Sequence, residues 1–173
     1  MKSKITLGLI IAALCQVLIL SGMYVVAAIP FWTGTEIHIR TIPVDPRSMF
    51  RGNYALLRYE ISEMDADLLP DSKDLRNGEI VYVALKPGKD SYHDFSDVSL
   101  EKPDSGVFLR GRIQNRYYED NASYFRIKFG IEAFFAPKDK ALSLERKLRE
   151  GGTAVVMVSS SGRARLKQVI NGS

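Results

Sequence analysis

The chain has 173 residues and one cysteine, and its 24 lysines and arginines nearly balance its 20 aspartates and glutamates. That balance, with no basic strip interleaved by aromatic residues, argues against a nucleic-acid partner. A single cysteine excludes an internal disulfide framework, and the roughly 140 residues beyond the N-terminal segment suffice for one domain with its own core.

From Ile5 to Ile29 no side chain is charged, and Thr6, Gln16 and Ser21 are the only clearly polar ones. At about 1.5 Å per residue such a helix exceeds the ~30 Å hydrocarbon core of a bilayer. A helix satisfies its own backbone hydrogen bonds there, where water is absent. Lys2 and Lys4 precede the run, and the next basic residue is Arg40. Lysines on a short flank stay on the cytoplasmic side, so residues 1–4 are expected inside, 5–29 in the membrane, 30–34 at the interface and 35–173 outside the cytoplasm. Phe31 and Trp32 stand where an interfacial aromatic anchor belongs. A cleaved signal peptide is the competing reading, with Val26 and Ala28 as a small-residue site. The apolar run is too long for a signal core, and Pro30 follows the site, so the anchor is expected to be retained. Cys15 follows Leu14, where lipid modification wants a small residue, and reads as an ordinary apolar position.

Thr35–Ile42 alternates, with Ile37 and Ile39 on one face and Glu36, His38 and Arg40 on the other, the period of a half-buried strand. Pro43 and Pro46 force an extended turn. The next strand opens at Gly52 and places Ala55, Leu57, Tyr59 and Ile61 on one face, with Tyr54 opposite. Glu63–Lys73 is acidic and reads as a short helical turn inside a surface loop. After the Asn77-Gly78 turn, "EIVYVALKPG" is apolar on both faces and is expected to be central in its sheet. Tyr92–Lys102 is a weaker strand or loop. "GVFLRGRIQ" and "YFRIKFGIEAFFAP" flank a turn near Asp120 as a long hairpin, with Phe125, Ile127, Phe129 and Ile131 on one face. Leu142–Glu150 is the single helical pattern in the exported part, ended by Gly151-Gly152. A final hairpin turns at Ser161-Gly162, with Ala164, Leu166 and Ile170 inward and Arg163, Arg165 and Lys167 outward. The expected fold is therefore mostly β (α+β): a transmembrane helix, then a small antiparallel barrel- or sandwich-like domain with one short helix.

"RGNYALLRY" carries Gly52, Asn53, Tyr54, Leu57 and Tyr59 at the spacing G-x-Y-x-x-L-x-Y. With "VYVALKPG", "VFLRGRI", "FGIEAFFAP" and "GRARLKQV" following in order, the exported part resembles the GDYXXLXY family of membrane-anchored bacterial proteins. Asn53 departs from the aspartate of that name, and "KDKALSLE" replaces the acidic, glycine-containing stretch usual after Pro137. The resemblance implies a single-helix anchor at the bacterial inner membrane and an extracytoplasmic domain without an assigned activity. It also implies a multi-spanning membrane protein as partner, beside the lipid bilayer itself.

No constellation calls for a cofactor or metal, since His38 and His93 lie in separate segments. Glu132 sits inside the apolar "GIEAFF", where an uncompensated carboxylate is costly. We expect it to pair with Arg51 or Arg110, with Tyr54 and Tyr59 donating hydrogen bonds nearby, as an internal brace in preference to a recognition surface. The leading function is thus a non-catalytic binding or accessory module for a membrane partner. The alternative is a membrane-anchored serine–lysine peptidase resembling signal peptidase, with Ser48 as nucleophile and Lys86 as a desolvated base. There Phe50 and Arg51 stand where that pattern wants a proline. A third reading has Trp32, Tyr117 and Tyr118 binding a cell-envelope polymer.

Overall fold

The computed structural model describes residues 2–43, 54–70, 72–119, 122–135 and 151–171. Ser48, Arg51, Gly52, Asn53 and the helix expected over Leu142–Glu150 lie outside these.

The first element, α1 (Lys2–Thr33), is one continuous helix, of which Ile5–Thr33 is long and apolar enough to cross a membrane. It runs one turn further than the expected end at Ile29. Proline's fixed φ is already helical and costs one donor, so Pro30 ends the apolar run without ending the helix. The Thr33 hydroxyl donates to the Ile29 carbonyl at 3.1 Å in that added turn. Gly34 alone separates α1 from the first strand.

Antiparallel strands follow: β1 (Thr35–Ile42), β2 (Tyr54–Leu56), β3 (Arg58–Tyr59), β4 (Glu63–Asp65), β5 (Ile80–Pro87), β6 (His93–Ser99), β7 (Val107–Glu119), β8 (Ala122–Lys128), β9 (Ala133–Phe135), β10 (Gly152–Val158) and β11 (Ala164–Asn171). They form a four-stranded sheet in the order β11-β10-β1-β3, a five-stranded sheet β4-β8-β7-β5-β6 and the ribbon β2-β9. The sheets curl as a half-barrel around one core. Ile37 and Ile39 from β1, Val81 and Val83 from β5, Leu109 and Ile113 from β7, and Phe125 and Ile127 from β8 fill that core, all essentially inaccessible to solvent. Their alternate positions along each strand are what the pleat turns inward. β5 is an interior strand, lying between β7 and the edge strand β6, while β7 takes the middle of the sheet.

Three departures from the sequence reading have local causes. The strand expected from Gly52 breaks at Leu57: β2 pairs with β9, and β3 crosses to β1, pairing Tyr59 with Thr41. Leu57, Tyr59 and Ile61 are nonetheless all buried, because a 3₁₀ turn at Glu60–Ser62 carries Ile61 inward. The acidic segment after it is part of the fold, since β4 pairs with β8 and buries Met64. In β11 a bulge at Lys167 shifts the register between Val155 and Val156. An extra residue inverts the alternation beyond it, so Val169 packs against the core and Ile170 is 39% exposed, a correction to its expected inward place.

The two large sheets are joined at both ends. His38 bridges Tyr92, linking β1 to the start of β6. Across the structure the Arg110 amide donates to the Gly162 carbonyl at 2.8 Å, tying β7 to the β10–β11 turn. Gly162 has φ +76°, and a Cβ there would lie 2.7 Å from the Phe108 ring and 3.0 Å from the Arg110 nitrogen. Gly162→Ala should therefore combine left-handed strain with overpacking and cost about 2–4 kcal/mol. A thermal melt of the full chain in mild detergent should show a lower transition, and an unchanged one would refute the close approach.

Candidate functional site

The G-x-Y-x-x-L-x-Y segment is brought against "GIEAFF", a pairing of two stretches about eighty residues apart that neither shows by itself. Tyr54 pairs with Phe135, Ala55 with Phe134 and Leu56 with Ala133, and the Leu57 amide donates to the Glu132 carbonyl at 2.7 Å. Tyr59 is fully buried, and its hydroxyl donates to the Ile131 carbonyl at 2.5 Å. Burial first, and then the neighbouring Glu132 charge, push its phenol far above the ordinary tyrosine range, so it remains a neutral donor.

Backbone amides hold Glu132, and of its two expected arginines only Arg110 is among the described residues. Its carboxylate accepts from the Phe129 amide at 2.5 Å and the Gly130 amide at 3.0 Å, closing the turn in which Gly130 has φ +83°. No described arginine forms an ion pair with it. Arg110 lies instead on the face of β7 that looks toward α1, and Arg51 is outside the described residues. Two amide donors satisfy the lone pairs of a half-buried carboxylate without removing its charge, and sequence spacing does not register them. Tyr54, Leu57, Tyr59 and Glu132 are thus assembled in one place, and Arg110 is not among them.

Lys86, the base of the peptidase alternative, is exposed near the end of β5, across from Asp94. Its surroundings supply none of the desolvation that reading requires. Tyr117 is half-buried instead of free: it stacks on Tyr124 at 5.6 Å, and Arg126 lies 5.3 Å over its ring. Arg126 also holds Glu63 across the β4–β8 pair at 2.8 Å. Tyr118 is 72% and Trp32 67% exposed.

One polar cluster went unnoticed in the sequence because its members come from four strands and a turn. Arg40 pairs with Asp94 at 2.8 Å and lies 4.1 Å over the Tyr92 ring, whose hydroxyl bonds the Thr153 hydroxyl at 2.6 Å. Arg40, His93 and Asp94 line a cavity of about 490 Å³ with Glu60, Glu63 and Asp65. Burial, with a contribution from His38, lowers the pKa of His93 against the opposing pull of Asp94. Arg40 and Asp94 hold each other and Glu63 is held by Arg126, while the buried Nδ1 of His93 has no hydrogen-bond partner among the described residues. No group of three or more histidine, cysteine or carboxylate side chains placed to hold a metal occurs among the described residues.

A family model described as "GDYXXLXY protein" matches residues 16–169. No curated protein and no solved structure is significantly similar to the chain.

Two predictions follow from this geometry. Glu132→Ala strips two amides of their acceptor and should cost about 2–3 kcal/mol, with Glu132→Gln intermediate because one acceptor oxygen remains. Equal melts for all three proteins would mean that the carboxylate is not a brace. For Glu63, burial opposes ionisation, but hydrogen bonds from Arg126 and Tyr117 outweigh it and lower its pKa. A depressed pKa stabilises above the unfolded value and ceases to do so as pH falls through the folded one. Melts of wild type and Glu63→Gln should therefore differ at pH 7 and draw together as the pH falls below the ordinary carboxylate range; a difference that does not shrink with acidification would contradict the assignment.

Proposed function

This chain belongs to the GDYXXLXY family, and on that premise we propose that it is a single-pass protein of the bacterial inner membrane, with its N-terminus in the cytoplasm. In this reading its β domain, outside the cytoplasm, serves as a non-catalytic binding or accessory module for a membrane partner. The observation that carries this is the union of α1 with β1. An apolar segment over Ile5–Thr33, none of it buried, is followed after Gly34 by the strand that pairs with β10 and β3. So short a joint holds the domain at the membrane surface. Confinement of this kind raises the effective concentration of a membrane-bound partner without any new contact.

The internal use of the motif residues supports a binding role over a catalytic one. Tyr59 and Glu132 spend their polar atoms on Ile131, Phe129 and Gly130 and so set the shape of the surface around them. The resemblance noted above makes a multi-spanning membrane protein the expected partner.

The test is a pair of C-terminal fusions, one to alkaline phosphatase and one to a fluorescent protein that matures only in the cytoplasm. Phosphatase activity without fluorescence is expected; the reverse would overturn the orientation. In-membrane crosslinking should then attach the domain to another integral membrane protein, and recovery of the uncrosslinked chain alone would count against the accessory role.

A further inference from the structure

We propose that the cleft between α1 and the outer face of β7, β8 and β11 binds the phosphate headgroup of an anionic phospholipid, with the acyl chains lying along α1. The inference rests on the membrane-tether reading above and deepens it by naming a lipid ligand.

The cleft encloses about 1000 Å³ and has two chemically distinct walls. Leu18, Ile19, Met23 and Val26 of α1 form one, and all four side chains are more than half exposed. The other wall carries Arg110, Arg112, Lys128, Arg163 and Arg165. Arg110 and Arg112 are two residues apart on β7, as Arg163 and Arg165 are across the start of β11, so the pleat points each pair the same way. No aspartate or glutamate lines the cleft. Among the described residues none of the five cations has a carboxylate partner, though Arg112 donates to the Gly78 carbonyl at 2.6 Å. In a chain close to overall charge balance, five cations without an acid on one concave face form a site of one sign.

Depth selects the ligand. Counting back at about 1.5 Å per residue from residue 30, where the tether reading begins the interface, Val26 lies roughly 6 Å and Leu18 roughly 18 Å inward, so the cleft runs from just beneath the headgroups into the outer half of the core. Cations at that level are costly unless they pair or reach the headgroups. A phosphodiester there supplies oxygens that the planar arginine fork binds two at a time. Free phosphate would match the cations but leave the α1 wall uncovered. A phospholipid covers both, and basic pockets beside membrane helices bind anionic headgroups in this way.

The full chain is reconstituted into nanodiscs of phosphatidylcholine containing phosphatidylglycerol, extracted in mild detergent and weighed by native mass spectrometry. One retained phosphatidylglycerol per chain is expected, in preference to phosphatidylcholine and resistant to excess inorganic phosphate. Arg163 and Arg165 are exposed and have no side-chain partner among the described residues, so Arg163→Gln and Arg165→Gln should each reduce that preference about fivefold without moving the thermal melt. A chain that inserts but retains both lipids equally, or variants that keep the preference, would overturn the lipid site alone. Release of the lipid by inorganic phosphate would overturn it in favour of a simple anion site. A chain that fails to insert would overturn the tether and this site together.

Discussion

The constraint on which the rest depends is an apolar helix that its own domain does not cover. The side chains from Ile5 to Val26 are all exposed, including those that face the sheets across the cleft, and among the described residues of the spanning run Ala27 and Ala28 alone are partly shielded. Leaving that much apolar surface in water would cost far more than a small domain's net stability. The proposed tether supplies the cover. Because Gly34 alone intervenes before β1, whatever fixes the helix also fixes the position of the sheet.

The family motif acquires a mechanical meaning in this setting. Its tyrosine and leucine positions lie where the chain leaves the β2–β9 ribbon and joins the four-stranded sheet, and Leu57 marks the crossing. Tyr59 is the fastener: its ring lies in the core, and its hydroxyl reaches the Ile131 carbonyl, beyond the ribbon and the Leu57–Glu132 hydrogen bond. Glu132, one residue on, holds the turn that aims that carbonyl. The buried phenol and the half-buried carboxylate thus stabilise a junction between sheets, and their separation in the chain explains why two distant motifs occur together.

Legibility in the sequence followed the range of the interaction. Alternation in Thr35–Ile42 and Phe125–Ile131 located strands and their inward faces, because period two is a local property, and a continuous run of β-formers located Ile80–Pro87. The Glu63–Asp65 strand was hidden, since its acidic composition describes the solvent-facing Glu63 and Asp65 and not Met64 between them. Ile170 was misplaced by a bulge that has no composition signal. The need of Glu132 for hydrogen-bond partners was readable from its apolar neighbours, but its two amide donors depended on a turn geometry set by Gly130. The Arg40, Tyr92, Asp94 and Thr153 cluster was invisible because its members meet only after the sheets close.

The most direct measurement of the central claim is the intact mass of the protein recovered from carbonate-washed membranes. A permanent tether predicts the uncleaved chain, with α1 still attached, in the membrane pellet. A chain shortened near Ala28 and found in the soluble fraction would show that the apolar segment is a removable leader, and the account built on it would fail.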